Sequence, residues 1–211
     1  MEGRSPAPER ATTADGEAIE LAWSWPDGVP VAVAVVTHPH PLMGGDMHNP
    51  VPAGVARGLA AAGVAAVRVN FRGTGASTGA HGGGDAERAD VVAALDVATT
   101  AVPGVPVVGV GYSFGADVLL AVDDARLAGV VAVAPPLRVL PAEALRAPRD
   151  GRPTLVLSPA HDQFCDPAQA AAAVEGWPAT TVEPVPGCDH FLAGGVQRVV
   201  DRVVAFVAAL S

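Results

Sequence analysis

The chain has 211 residues, and 50% of them are hydrophobic, which is enough for one α/β domain with a sizeable buried core. Its formal net charge is −9, so we expect an acidic surface that disfavours nucleic acid and anionic membranes as partners. All 13 basic residues are arginine, and the absence of lysine excludes both Schiff-base chemistry and a phosphate-binding P-loop lysine.

The N-terminal sequence is polar and rich in Pro and Ala, and we predict that residues 1–15 form a disordered leader before a single domain at 16–211. This leader lacks the apolar central region of a signal peptide. No apolar run approaches the roughly 20 residues that a membrane-spanning helix needs. The sequence therefore predicts a cytoplasmic protein that does not bind membranes, and it gives no indication of the oligomeric state.

Short apolar runs alternate with helix-like segments along the rest of the chain. Residues 18–25 alternate in polarity and predict an antiparallel edge strand. Further strands are predicted at 31–37, 64–71, 106–112, 129–134, 153–158 and 180–185, and helices at 51–62, 85–101, 114–122, 167–175 and 194–210. Continuously apolar strands separated by helices are typical of a mostly parallel sheet with helices on both faces. Residues 137–152 are the only segment in which a lid could lie, and this segment is short.

The segment Gly111-Tyr112-Ser113-Phe114-Gly115 matches G-x-S-x-G between a predicted strand and a predicted helix. In that setting the motif indicates a nucleophile on a tight turn, where side chains at positions 111 and 115 would collide with the backbone. Ser113 would lie at a helix N-terminus, which favours developing negative charge. We therefore predict Ser113 as the nucleophile and the N–H of Phe114 as an oxyanion donor.

Two further signals follow the last two predicted strands. Gly187-Cys188-Asp189-His190-Phe191 offers His190 as general base, and Ser158-Pro159-Ala160-His161-Asp162 offers Asp162 as the acid that orients it. Open α/β sheets build their sites at the carboxyl ends of strands, which is where both segments lie. The chain order Ser, Asp, His, with each residue after a separate strand, matches the order of a hydrolase triad.

Asp166 and Asp189 are alternative acids. Neighbouring residues in an extended loop point apart, so Asp189 is poorly placed to orient His190. Asp166 precedes Pro167, which indicates the N-terminus of a helix instead. Asp162 is favoured over both.

The segment from His38 to Gly45, HPHPLMGG, follows the first core strand, where a second oxyanion donor is expected. Its prolines have no N–H, which leaves His40 or Leu42 as the donor, and we favour His40. A metal site built from His38, His40, Asp46 and His48 is the alternative. It is disfavoured because the prolines between the ligands restrict their geometry. We expect neither a metal nor a cofactor.

These motifs resemble those of small lidless bacterial α/β hydrolases related to dienelactone hydrolase and to the acyl-peptidase-like esterases. The resemblance covers residues 31–210 and rests on HPHPLMGG, NFRGTGASTG (70–79), GYSFGA and GCDHF. It implies an α/β-hydrolase fold with little or no lid. Two departures are visible: dienelactone hydrolase itself uses a cysteine nucleophile, and Ser158-Pro159 replace the His-Gly pair that usually precedes the acid.

The resulting expectation is a serine esterase that forms an acyl-enzyme with a small-molecule ester of short acyl chain. Tyr112, Phe164 and Phe191 are predicted to line its pocket. Acyl transfer, thioester cleavage and peptide cleavage by the same site stay open. A nucleotide-binding oxidoreductase is an alternative from another class, because glycine-rich turns follow two strands. A non-catalytic member that uses the hydrolase pocket to bind a ligand or partner is a further alternative, although no triad residue is lost. Nothing in the sequence decides whether Cys165 and Cys188 form a disulfide.

Overall fold

A computed structural model of the chain describes residues 9–145 and 147–210. Within them, eight strands form one sheet: β1 (Arg10–Thr12), β2 (Ala18–Ser24), β3 (Ala32–Thr37), β4 (Val64–Val69), β5 (Val107–Tyr112), β6 (Leu127–Val133), β7 (Thr154–Pro159) and β8 (Thr180–Val185). Their order across the sheet is β1-β2-β4-β3-β5-β6-β7-β8. Strand β2 runs antiparallel to both of its neighbours, whereas the strands from β4 to β8 are parallel.

Five α-helices in the described part of the chain cover the two faces of the sheet: α1 (Pro50–Ala61), α2 (Glu87–Ala101), α3 (Phe114–Leu120), α4 (Pro167–Ala173) and α5 (Val196–Ala208). Helices α2, α3 and α4 bury apolar side chains against one face, and α1 and α5 against the other. Every residue of β3 and β5 is buried, which explains why these strands are almost wholly apolar. The predicted α/β class, with a mostly parallel sheet between two helical layers, is confirmed. No helix in the described ranges combines the length and apolarity needed to span a bilayer.

The structure departs from the predicted elements at the N-terminal edge of the sheet. The predicted strand at 18–25 is antiparallel, but it is not the edge, because Arg10–Thr12 pair with it from outside. The predicted disordered leader is therefore wrong for residues 10–15, while residues 1–8 lie outside the described residues. β1 has three residues with one buried side chain, Ala11, which is too short a pattern to be recognised in the sequence.

The segment with room for a lid, residues 137–152, contains two short helical turns among its described residues. In its described part, one turn of 3-10 helix covers Ala142–Ala144 and another covers Ala147–Asp150. Leu140 and Leu145 are buried against the core, so they hold the segment to the body of the protein. The described part of this segment thus provides no cap over the carboxyl ends of the strands.

A buried arginine ties the glycine-rich loop after β4 to the rest of the fold. The Arg72 guanidinium donates to both Asp90, on α2, and Asp15, between β1 and β2. The backbone N–H of Arg72 also donates to Asp90, at 2.8 Å. Arg72 and Asp90 are 5% and 0% exposed, so this ion pair is shielded from water. These contacts make Arg72 a structural residue that joins the loop, α2 and the N-terminal hairpin.

We predict that Asp90→Ala destabilises the protein by about 3–5 kcal/mol, because it leaves a buried guanidinium without its main partner. Urea unfolding followed by circular dichroism gives the free energy. Asp15→Ala is the matched control: Asp15 is half-exposed, and its removal should cost clearly less. Equal losses in the two variants would contradict this account.

Candidate active site

Ser113 occupies a strained turn between β5 and α3. Its backbone lies in an unfavourable region, with φ of 53° and ψ of −119°, and its side chain is nearly buried. A Cβ at Gly111 would lie 2.5 Å from the Ala116 Cα, and one at Gly115 would lie 2.5 Å from the His38 carbonyl oxygen. Only glycine fits at either position. The strand, the helix and the neighbouring loop can therefore approach this closely only because positions 111 and 115 of the motif are glycine.

A continuous hydrogen-bonded chain joins Ser113, His190 and Asp162. Ser113 Oγ lies 2.8 Å from His190 Nε2, and His190 Nδ1 lies 2.8 Å from Asp162 Oδ2. All three residues are at least 93% buried. With its proton on Nδ1, donated to Asp162, the imidazole presents Nε2 as the acceptor for the serine hydroxyl. This is the arrangement that general-base activation of a serine requires.

The structure separates Asp162 from the two alternative acids. Asp166 caps α4: its carboxylate accepts the Gln169 N–H, and the Gln169 side chain accepts the Asp166 N–H. The Asp189 carboxylate accepts the Phe191 N–H, at 3.1 Å. Among these three carboxylates, it is Asp162 that contacts the ring of His190.

The loop that carries Asp162 is closed by residues that the sequence analysis did not assign. Ser158, at the start of this loop, donates its hydroxyl to the Cys165 carbonyl oxygen at 3.0 Å. Asp162 Oδ1 accepts the N–H groups of Phe164 and Cys165. The Ser158 hydroxyl thus bridges the loop from which Asp162 reaches His190.

Cys165 lies on the loop after β7 and Cys188 on the loop after β8, and the described structure shows both as free thiols. Strands β7 and β8 are adjacent, and the His161 N–H donates to the Cys188 carbonyl oxygen, at 2.9 Å. Burial raises the pKa of the Cys165 thiol to about 11, so it stays protonated at neutral pH. Neither side chain contributes to the hydrogen-bonded chain of Ser113.

Tyr112 anchors the backbone of the histidine loop. Its hydroxyl donates to the His190 carbonyl oxygen, at 3.0 Å, from a buried position beside Ser113. Burial raises the pKa of Tyr112, so the phenol remains a donor. The sequence analysis predicted Tyr112 only as a pocket residue, because nothing in the sequence shows which loop a side chain will reach.

The loop after β3 lies against the first turn of α3. Thr37 donates its hydroxyl to the Gly115 carbonyl oxygen, at 3.0 Å, and the rings of His40 and Phe114 are 4.9 Å apart. Phe114 begins α3, where backbone N–H groups have no acceptor within the helix. The Leu42 N–H donates to His40 Nδ1, at 3.2 Å. The Leu42 N–H is thus already used, so His40 is the favoured candidate for the second oxyanion donor.

His38 is committed to the fold by both ring nitrogens. Its Nε2 accepts the Phe71 N–H at 3.1 Å, and its Nδ1 lies 2.6 Å from the Pro39 carbonyl oxygen. Burial lowers its pKa to about 4, so the ring is neutral at physiological pH. A ring engaged in this way cannot also ligate a metal together with His40, Asp46 and His48.

A cavity of about 560 Å³ opens beside Ser113. The three residues predicted to line it, Tyr112, Phe164 and Phe191, are all present in its wall. The Phe164 and Phe191 rings lie 4.5 and 5.7 Å from the His190 ring. Phe71, shortly after β4, is instead fully buried in the core.

The sequence analysis missed one wall of this cavity, which the segment after β6 supplies. Asp117, fully buried on α3, accepts the N–H groups of Leu137, Arg138 and Val139 at 2.9 to 3.0 Å. Leu137 has a positive φ of 53°, so the clamp holds a strained backbone. Burial raises the pKa of Asp117 to about 6, against the opposing effect of these donors. In the sequence, the only sign of this role was the position of Asp117, one helical turn after Ser113.

The search against family models matched none to the chain. An uncharacterized protein of Rickettsia prowazekii (strain Madrid E) is 34% identical over 111 residues. That match covers 51% of this chain and about half, 47%, of the length of the relative.

Solved structures of similar fold cover nearly the whole chain. An α/β serine hydrolase homologue from Coxiella burnetii is 28% identical with a TM-score of 0.83, covering 93% of this chain and 95% of that one. XC6422 from Xanthomonas campestris, an α/β serine hydrolase without a lid, is 27% identical with a TM-score of 0.84, covering 95% and 92%. The esterase domain of a Rhodothermus marinus protein, 18% identical with a TM-score of 0.76 and coverage of 96% and 98%, shares the fold. The chain has the α/β-hydrolase fold without a lid, and these neighbours support a hydrolase.

We predict that Asp117→Asn lowers the free energy of unfolding by about 1–3 kcal/mol at pH 7.5, because the amide presents an NH₂ to at least one backbone donor. Since the folded-state pKa of Asp117 is raised to about 6, the wild type gains stability from protonation as the pH falls from 6 towards 4. The variant lacks that gain, so the gap should widen at pH 5.

Urea titrations at the two pH values test this prediction. Asp123→Asn, at an exposed position just after α3, is the control and should stay within about 0.5 kcal/mol of the wild type. A gap that is the same at both pH values would show that Asp117 titrates normally.

Proposed function

We propose that the protein is a serine carboxylesterase that hydrolyses small or short-acyl esters through an acyl-enzyme on Ser113. The observation that carries this proposal is the hydrogen-bonded chain from Ser113 Oγ through His190 to Asp162, beside an apolar cavity. General-base activation is what makes a serine hydroxyl nucleophilic. The hydrolase fold of the neighbouring structures supports the same chemistry.

In the proposed first half-reaction, Ser113 Oγ attacks the ester carbonyl carbon while His190 Nε2 takes the hydroxyl proton. The new imidazolium is stabilised by Asp162. The tetrahedral oxyanion receives hydrogen bonds from the N–H groups of Phe114 and His40. Collapse of this intermediate breaks the ester C–O bond, and the leaving alcohol takes the proton from His190. In the second half-reaction, water replaces the alcohol and releases the acid.

The proposed substrate size follows from the shape of the cavity. Burial of each CH₂ group contributes about 0.8 kcal/mol, but only while the chain stays inside the site. The described part of segment 137–152 adds no cap that would extend the cavity over a long chain. Acetyl to butyryl esters are therefore the substrates that we propose.

We expect Ser113→Ala to lower kcat/KM for p-nitrophenyl butyrate by at least ~10³-fold, because no other group can form the acyl-enzyme. A fluorophosphonate probe should label the wild type at Ser113, as mass spectrometry of the digested protein would show. Ser24→Ala, at the end of β2, should retain both activity and labelling. Labelling at a different serine would refute the assignment of the nucleophile.

We expect Asp162→Asn to lower kcat by as much as ~10⁴-fold while the protein stays folded, because the amide stabilises the wrong histidine tautomer. Two matched controls make the same chemical change: Asp166→Asn on the loop that carries Asp162, and Asp189→Asn on the loop that carries His190. Both should cost far less activity, and circular dichroism would verify folding. A loss in Asp189→Asn as large as that in Asp162→Asn would reject Asp162 as the orienting acid.

A further inference from the structure

The cavity beside Ser113 carries a single permanent charge among the described residues that line it, and this charge is the guanidinium of Arg138. No Asp or Glu is found in that lining, although the protein as a whole has a formal net charge of −9. The other walls are mostly apolar and include Phe114, Phe164 and Phe191. The nearby buried carboxylate of Asp117 interacts electrostatically with this cation, but it is not part of the lining, so the cavity provides a place for one anionic group.

Arg138 is held in this position by its backbone. Its N–H donates to the buried Asp117 carboxylate, together with those of its two neighbours. Leu137 has a strained φ of 53° within this clamp, and residue 138 follows it into the cavity wall. The Asp117 carboxylate accepts hydrogen bonds from main-chain groups only and acts on the guanidinium through electrostatics alone, so the clamp uses none of the guanidinium's donors.

The guanidinium lies close to the proposed reaction centre. Its central carbon is 5.2 Å from the centre of the Phe164 ring, and that ring is 4.5 Å from the His190 ring. The face of Phe164 orients the cation without neutralising it. Within the described ranges, no carboxylate lies within the 4.0 Å of the Arg138 guanidinium that an ion pair requires. Its hydrogen-bond donors are therefore available to a substrate.

We propose that Arg138 is a specificity-determining residue that selects esters bearing a carboxylate a few bonds from the scissile carbonyl. This inference rests on the proposed esterase function and names the substrate class of the same site. A guanidinium binds a carboxylate through two parallel, charge-assisted hydrogen bonds, which a neutral ester cannot provide. The carboxylate can belong to either the acyl or the alcohol part of the ester, and the test separates these two sources.

The test compares matched pairs of esters that differ in one charge. The acyl arm uses p-nitrophenyl hydrogen adipate and p-nitrophenyl methyl adipate. The alcohol arm uses 4-carboxyphenyl butyrate and its methyl ester, 4-(methoxycarbonyl)phenyl butyrate. In at least one arm, the wild type should prefer the charged ester by about 5- to 20-fold in kcat/KM at low salt, with the difference mainly in KM. The arm that shows the preference identifies the source of the carboxylate.

The preference should disappear in Arg138→Gln and persist in part in Arg138→Lys, which keeps the charge but loses the planar fork. It should also shrink as the ionic strength rises, because Arg138 is exposed. Arg57→Gln, on the exposed side of α1, makes the same change in net charge and should keep the preference. This control separates a local contact from the overall field of the protein.

Two results would overturn the proposal: a wild type without preference for the charged ester in either arm, or a preference that survives in Arg138→Gln. In both cases hydrolysis of the neutral esters, dependent on Ser113, would leave the esterase function standing. Failure of the wild type to hydrolyse any of the four esters would instead reject the esterase function, and the assignment of Arg138 with it.

Discussion

The close contact between the start of α3 and the loop after β3 is the constraint on which the candidate site depends. At Gly111 and Gly115 a single methyl group would collide with backbone atoms of the helix or the loop. Because the two glycines allow this approach, Ser113 can adopt its strained conformation, and the Thr37 hydroxyl can bind the Gly115 carbonyl. The same approach brings the loop that carries His40 beside Phe114, so one packing contact positions both the serine and the two proposed oxyanion donors.

Helix α3 has a second function in the site through its buried carboxylate. Asp117 accepts three consecutive backbone N–H groups from the segment after β6, at the expense of a buried charge and a strained Leu137. Such a costly arrangement is typical of positions where the backbone must be held against its own preference. It fixes the wall that presents Arg138 at a distance set by the helix carrying Ser113. The proposed nucleophile and the proposed selectivity residue are therefore both positioned by helix α3.

The loop after β7 is held in shape by hydrogen bonds within it. The Ser158 hydroxyl reaches the Cys165 carbonyl across the loop. The Asp162 carboxylate then uses one oxygen for two backbone N–H groups and the other for His190. Since short-range hydrogen bonds shape this loop, the position of the acid depends on the Ser158 hydroxyl and on the two backbone N–H groups that Asp162 accepts.

The sequence by itself determined the class of fold and the order of the central elements, because continuously apolar strands and helices of suitable length are local patterns. It also predicted that Ser113, Asp162 and His190 would meet, because each follows a strand of one parallel sheet whose carboxyl ends share an edge. The short edge strand β1 could not be recognised, since three residues carry no periodicity and its pairing with β2 is a tertiary event.

Apart from the three predicted triad residues, side-chain partners were decided only by the tertiary structure. The hydroxyl of Tyr112 reaching the backbone of His190, Asp117 holding residues 137–139, and Arg138 stacking on Phe164 all join segments distant in the chain. A residue type indicates which bonds a side chain can make, whereas the packing of the sheet and its helices determines which partner is within reach.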